Sequence, residues 1–226
     1  MTKPKLIAAV IVLAAIGGWV VFGKFNPYYG LVTEMEVQST PEVISQLEQQ
    51  KATALASIQA SIEAGERPDL NMYELAAQAA YYLGDLVSAR EIYEEYFTEN
   101  AINPSAWNTY GNILVRMEDW QSAEVAYKTA LALAPAEEYY RDLIKVIARN
   151  QERAPEVEVL LLNYIDTLGR TQWVMVSLGD WYAQQGQCEK AIDHYKVALS
   201  IARDAGGDIT PIEQDIESVE QNCVEQ

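Results

Sequence analysis

The chain has 226 residues, half of them hydrophobic, and a formal net charge of −17. Residues 1–24 carry three lysines and no acidic residue, whereas the remainder carries 13 basic and 33 acidic residues, a net charge of −20. Because phosphate binding requires positively charged patches, this acidity argues against nucleic acid as a partner and against binding to anionic lipid surfaces. The acidic excess either keeps the protein soluble or favours a basic partner.

An apolar run near the N-terminus predicts a membrane anchor. Residues 6–22 are uncharged and nearly all apolar, and a run of this length is at the lower limit for a helix that spans a bilayer. A cleaved signal peptide is the alternative, but no small-x-small cleavage pattern follows the run. We therefore expect a transmembrane helix over residues 6–23, preceded by a cytoplasmic tail over residues 1–5.

The lysines beside this run predict its orientation. Lys3, Lys5 and the free amine precede the run, and only Lys24 follows it closely. Positive charge stays on the cytoplasmic side, so the N-terminus is expected in the cytoplasm and the remainder outside it. In a bacterium, this makes the protein a single-pass inner-membrane protein with a periplasmic domain.

A linker and a long helix are predicted next. Residues 24–40 contain proline and glycine without a helical period and are interpreted as a juxtamembrane linker. Ser39 or Thr40 can cap a helix over residues 41–65, which has an apolar stripe and ends at a glycine. This helix either packs on the elements that follow or pairs with a partner helix, and we expect packing within the chain.

Residues 104–135 contain a regular pattern of large and small side chains. Its marker residues are Trp107, Gly111, Ala123, Tyr127, Ala130 and Pro135. The pattern resembles a tetratricopeptide repeat, a helix–turn–helix unit of about 34 residues. Gly111 and Ala123 are small where the paired helices approach, and Asn103 and Asp119 can cap the two helices.

The resemblance extends over about residues 70–203. Small and aromatic residues recur at the repeat's positions in residues 70–103 and 171–203. Residues 138–170 match the repeat only in their length and in the helical period of their apolar residues. Thr210 and Glu213 form a capping box that begins a final helix. The predicted fold is therefore all-α: a transmembrane helix, a tetratricopeptide solenoid of three to four repeats over residues 66–204, and a C-terminal capping helix over residues 205–226.

The sequence lacks the usual patterns of catalytic and metal sites. Its one histidine, His194, has no second histidine to pair with, and no Cys-x-x-Cys pair, glycine-rich phosphate loop or serine nucleophile elbow is present. We therefore predict no enzyme activity, no metal and no cofactor.

The resemblance implies that the first helix of each repeat lines a concave wall. The partner-binding residues predicted on this wall are Asn71, Glu74, Gln78, Tyr81, Tyr82, Asn108, Asn112, Arg116, Trp173 and Asp180. They are either a peptide groove or ordinary exposed helix residues. Two asparagines on one helix are not needed for packing, which favours the groove.

The two cysteines, Cys188 and Cys223, are predicted to form a disulfide, since the expected compartment is oxidising. The predicted helices that carry them run antiparallel, with the cysteines roughly 24 and 18 Å from the connecting loop at about 1.5 Å per residue. Two buried free thiols are the alternative.

The expected function is a membrane-tethered scaffold for protein or peptide partners outside the cytoplasm. The architecture is similar to tetratricopeptide proteins of c-type cytochrome maturation and to anchored chaperones beside the secretion channel. An accessory subunit of a larger membrane complex is the alternative, because Gly17 and Gly18 allow close contact between helices.

Overall fold

The structure is a computed structural model that describes residue 28, residues 31–36 and residues 39–224. The predicted anchor over residues 6–23 lies outside the described residues. The residues from Leu31 onward form one compact unit.

Ten α-helices account for most of the described residues of this unit. They are α1 (Pro41–Ala64), α2 (Leu70–Tyr82), α3 (Leu86–Glu99), α4 (Pro104–Arg116), α5 (Trp120–Leu133), α6 (Glu137–Ile147), α7 (Ala154–Leu168), α8 (Gln172–Gln184), α9 (Cys188–Asp204) and α10 (Thr210–Val224). A short 3₁₀-helix, Gln151–Arg153, precedes α7. The described residues form no strand, so the all-α prediction is confirmed for them. None of the described helices has the length and apolar character that a membrane crossing requires.

Each helix packs against the next one along the chain, which is the arrangement of a solenoid. The largest fully buried side chains include Tyr73, Tyr96, Tyr127 and Tyr164, so tyrosine fills much of the space between helices. Helix α1 packs on α2, and its residues Ala54 and Ile58 are buried. The prediction that this helix packs within the chain is therefore confirmed.

Capping side chains set several helix starts. Asn103 accepts hydrogen bonds from the N–H groups of Ser105 and Ala106 at 3.1 and 3.3 Å. Asp119 accepts one from the N–H of Ser122 at 3.2 Å. Both predicted caps are confirmed, and each satisfies N–H groups that have no partner inside the helix.

The predicted capping box of the last helix is wrong. Thr210 is the first helical residue of α10, and its N–H donates to Asp208 Oδ1 at 2.9 Å. The N–H of Glu213 donates to the Ile209 carbonyl, one residue before the predicted cap. The Asp208 carboxylate therefore accepts from the first helical N–H, and Thr210 lies inside the helix and not at the cap position.

Two glycines allow the paired helices to touch. A Cβ atom at Gly111 would lie 2.5 Å from Tyr127 Cε1, and one at Gly179 would lie 2.5 Å from Tyr195 Cε1. Real Cβ atoms do not approach other carbons this closely, so only glycine fits without a shift. The predicted close contact at Gly111 is confirmed, and the fourth unit repeats it.

An extended segment joins the connections of the first two repeats. The N–H of Val32 donates to the Met117 carbonyl and that of Met35 to the Gly84 carbonyl, both at 2.9 Å. In return, the N–H of Leu86 donates to the Thr33 carbonyl at 3.1 Å. Part of the stretch interpreted as a linker is therefore bonded to the solenoid through its backbone.

Candidate functional site

Helices α2 and α4 bound a groove of about 550 Å³. Seven of the predicted partner-binding residues line it: Asn71, Glu74, Gln78, Tyr81, Tyr82, Asn112 and Arg116. The groove is also lined by Leu75, Ala77, Tyr93, Thr109, Ile113 and Val115, most of which the sequence had not indicated as binding residues. Below, this surface is called the α2–α4 groove.

The polar groups of the α2–α4 groove include one charge of each sign. Arg116 Nε donates to Tyr81 OH at 3.2 Å, which orients the guanidinium. Glu74 Oε1 accepts from Asn103 Nδ2 at 3.3 Å. Tyr82 is 55% exposed and lies edge-on to the ring of Tyr81. An exposed aromatic ring beside fixed donors and acceptors is a typical surface for peptide recognition.

A buried tyrosine lies at the base of this groove. Burial raises the pKa of Tyr93 to about 12, so its hydroxyl remains protonated at neutral pH. Asn112 also has a packing role, because Tyr127 OH donates to its Oδ1 at 2.8 Å. The argument that the two asparagines of α4 are not needed for packing is therefore wrong for Asn112, because this bond holds α5 against α4.

The structure does not place Asn108, Trp173 and Asp180 among the lining residues of this groove. Asn108 Oδ1 is buried and has no hydrogen-bond partner within the described part of the chain. The Trp173 ring packs edge-on against Tyr164, and the Arg141 guanidinium lies 4.7 Å from its centre. The predicted wall residues thus fall in separate places, and whether each binds a partner stays a prediction.

A second groove of about 540 Å³ lies where α6, α7 and α8 meet. Asp180 lines it together with Ile144, Leu161 and Trp181. The sequence indicated Asp180 alone among these residues, because the other three follow the ordinary apolar pattern of packed helices.

An ion-pair cluster joins α5 to the start of α7. Arg153 makes two hydrogen bonds to the Glu124 carboxylate, at 2.7 and 2.9 Å, and also bonds Glu156 at 2.7 Å. Lys128 Nζ lies 2.6 Å from Glu124 Oε1. Paired N–H···O bonds of this kind are stronger than bonds between neutral groups. The Arg153 hydrogen bonds hold the pKa of Glu124 at about 2.

The lowered pKa predicts a pH-dependent contribution to stability. Glu124 contributes stability above its ordinary pKa of 4.5, and this contribution is lost as the pH falls from about 4.5 to about 2. We expect Glu124→Gln to be less stable than the wild type at pH 7, with the difference shrinking below pH 4.5. Urea unfolding at several pH values measures it, with the exposed Glu152→Gln as control. A difference that does not change with pH would contradict the ion-pair interpretation.

The described residues contain no group of three or more histidine, cysteine, aspartate or glutamate side chains that could hold a metal ion. His194 stacks on the Tyr182 ring, with ring centres 5.2 Å apart. Burial lowers the pKa of His194, which is the expected effect on a neutral packed imidazole.

A sequence model described as tetratricopeptide repeat matches residues 174–209, which span α8 and α9. A sequence comparison with curated proteins gave no match. Comparison with solved structures found MamA at 14% identity, covering 76% of this chain and 98% of MamA, with a TM-score of 0.59. YrrB, described as a tetratricopeptide protein with an unusual peptide-binding site, has 15% identity, 75% and 82% coverage and a TM-score of 0.53.

The yeast protein Tom70 is also similar, at 16% identity and a TM-score of 0.55, with 84% of this chain and 45% of Tom70 covered. At sequence identities this low, structural similarity indicates a shared fold and does not indicate shared binding partners. The repeat match and the three shared architectures agree with the pattern of small and aromatic residues found in the sequence. The chain is therefore a protein of the tetratricopeptide repeat fold, and the resemblance seen in its sequence is confirmed.

Proposed function

We propose that this protein is a membrane-tethered scaffold that binds protein or peptide partners on the extracytoplasmic side and acts in the assembly or maturation of a membrane or periplasmic complex. The tetratricopeptide fold supports the scaffold part of this proposal, because its solenoids present extended surfaces to other chains. The main support for binding is the α2–α4 groove, which is lined by seven of the residues predicted from the sequence to bind a partner.

The chemistry of the groove suits an extended polypeptide. A backbone without secondary structure presents unpaired N–H and C=O groups, which need acceptors and donors from the scaffold. Glu74, Gln78 and Asn71 provide amide and carboxylate oxygens, and Arg116 and the tyrosine hydroxyls provide donors. The exposed Tyr82 ring offers a surface for an apolar side chain of the partner. YrrB, which shares the fold, is described as having a peptide-binding site.

Membrane tethering is supported by the apolar run and by the asymmetry of Lys3 and Lys5 against Lys24. If the tether has this orientation, protease added to intact spheroplasts digests the domain after about residue 25. A cytoplasmic protein in the same sample should remain whole, which controls for leakage. Full protection until lysis would reverse the orientation.

A structural accessory subunit of a larger complex is the alternative function, because Gly17 and Gly18 allow close helix contact in the membrane. Purification of the full chain from native membranes in mild detergent separates the two. A scaffold for assembly is expected to bring down several client proteins in substoichiometric amounts. One fixed set of proteins at constant stoichiometry would support the subunit instead.

The proposal includes a disulfide between Cys188 and Cys223 that fastens the last helix to the solenoid. Helix α10 packs on α9, with Ala202 of α9 and Ile212 and Val219 of α10 buried. Cys188 is the first residue of α9. Cys223 lies near the end of α10, the helix that packs against α9. An extracytoplasmic compartment would oxidise the pair.

A further inference from the structure

The third repeat departs from the others in the connection between its two helices. Three residues connect the helices in the other repeats, over residues 83–85, 117–119 and 185–187. In the third repeat, residues 148–153 make the connection and include the 3₁₀-helix. Helix α6 also contains no glycine or alanine, so it lacks the small side chains that bring α4 close to α5 and α8 close to α9.

The second groove lies beside this connection, between α6, α7 and α8, and Ala148 and Gln151 of the connection line it. It is called below the α6–α8 groove. Its base is apolar and is formed by Ile144, Val157 and Leu161, of which Val157 and Leu161 are buried. The Trp181 indole forms one side, and its Nε1 donates to the Ala154 carbonyl at 3.1 Å, which fixes the ring. An apolar base with a fixed aromatic wall suits an aliphatic side chain.

The rim of the α6–α8 groove is polar and negatively charged. Amide and hydroxyl groups come from Gln151, Ser177, Gln184 and Gln185. Asp180 is the one charged residue among the described residues that line the groove, and it is exposed. Tyr195 OH donates to Asp180 Oδ1 at 2.7 Å, which holds the carboxylate in place.

The neighbouring cations are engaged elsewhere. The Arg149 guanidinium lies 3.5 Å from the centre of the Trp120 ring, and Arg153 is bonded to Glu124 and Glu156. Burial and, as a smaller cause, the charge of Asp180 raise the pKa of Asp215 on α10. A further carboxylate therefore lies near Asp180. Among the described lining residues, the groove therefore has one carboxylate and no cation.

We propose that the α6–α8 groove is a second binding site, which takes an extended segment of a partner protein that has a lysine or arginine next to an aliphatic residue. The aliphatic side chain packs on Ile144 and Leu161, and the cation pairs with Asp180. The net charge of −20 after residue 24 would also attract a basic segment at long range. This inference rests on the proposed scaffold function and assigns a site and a partner chemistry apart from the α2–α4 groove.

The test uses the full chain in detergent and three capped peptides that differ at one position. The probes are Ser-Leu-Lys-Ile-Ser-Gly, its norleucine variant and its glutamate variant, and calorimetry measures their affinities. We expect the lysine peptide to bind about fivefold more tightly than the norleucine peptide and the glutamate peptide to bind weakest. Asp180→Asn keeps an acceptor for Tyr195 and should abolish the preference for lysine, whereas the exposed Asp166→Asn is the control with the same charge change.

A second variant keeps the proposal testable if Asp180→Asn fails to fold. Gln184 is exposed on the rim, so Gln184→Lys should fold normally and weaken the lysine peptide by a similar factor. Equal affinity for the lysine and glutamate peptides, absence of binding by all three, or an unchanged preference in Asp180→Asn would overturn the proposal. Self-association of the wild type that Asp180→Asn abolishes would also overturn it, because a second copy would then be the occupant. If native partners bind the protein but the lysine peptide does not, the proposed scaffold function is retained and only the proposed α6–α8 site is contradicted.

Discussion

Replacing Gly111 with leucine is expected to lower the free energy of unfolding by about 1–3 kcal/mol, because overpacking a close contact forces side chains and backbone to shift. Even a Cβ atom at this position would lie 2.5 Å from the Tyr127 ring. Tyr127 is fully buried and bonded to Asn112, so its ring has little room to move away. Thermal and urea unfolding followed by circular dichroism at 222 nm measure the loss.

Two companion variants separate overpacking from a change in helix propensity. Gly111→Ala adds only the Cβ atom and should already destabilise, although alanine favours a helix over glycine by about 1 kcal/mol. Ser105→Leu places leucine at an exposed position of the same helix and should have little effect. An unchanged melting temperature in both Gly111 variants would mean that the helices of this repeat do not meet at Gly111.

Removing the proposed disulfide has the largest expected effect on stability. A bond between Cys188 and Cys223 would close a loop that spans 35 positions (223 − 188). The chain-entropy model gives about 3–4 kcal/mol for a loop of this size. We expect Cys188→Ser, Cys223→Ser and the double variant to lose the same amount, because each breaks the same bond. The loss should be greatest for α10, which packs mainly on α9 among the described helices.

Alkylation without reduction tests the bond itself. The wild type is denatured with an alkylating agent present and then weighed by mass spectrometry. No added alkyl group is expected, and reduction before alkylation should add two, which shows that both thiols can react. Two alkyl groups without reduction would rule the disulfide out and leave two free thiols.

The central repeat was predictable because its signals are local. Gly111 and Ala123 mark the close contact, and Asn103 and Asp119 mark the helix starts. The close contact and the capping hydrogen bonds each lie within one repeat, so the local sequence carries the information. The same holds for residues 174–209, where Gly179 and Tyr195 repeat the contact.

The rest depended on contacts that sequence spacing does not encode. The segment at residues 32–35 bonds through backbone groups, so its side chains gave no sign of it. The third repeat was predicted from its length and helical period alone, so its longer connection at residues 148–153 had no marker in the sequence. Nor did the sequence indicate that Arg116 and Asp180 line two different grooves.

Binding by the α2–α4 groove is tested most directly by Tyr82→Ala combined with Arg116→Ala in the full chain. Both side chains line the groove and lie on its exposed part, whereas Asn112 is unsuitable because it also holds Tyr127. Recovery of partner proteins from native membranes is measured by quantitative mass spectrometry against wild type. Val159→Ala with Lys196→Ala, two exposed residues outside the groove, is the matched control.

We expect the groove variant to recover partners about tenfold less efficiently, since tyrosine and arginine are enriched among the interface residues whose truncation costs more than about 1 kcal/mol. Its helicity and melting temperature should match those of the control variant. Undiminished recovery by a folded groove variant would contradict the proposal that this groove binds the partners.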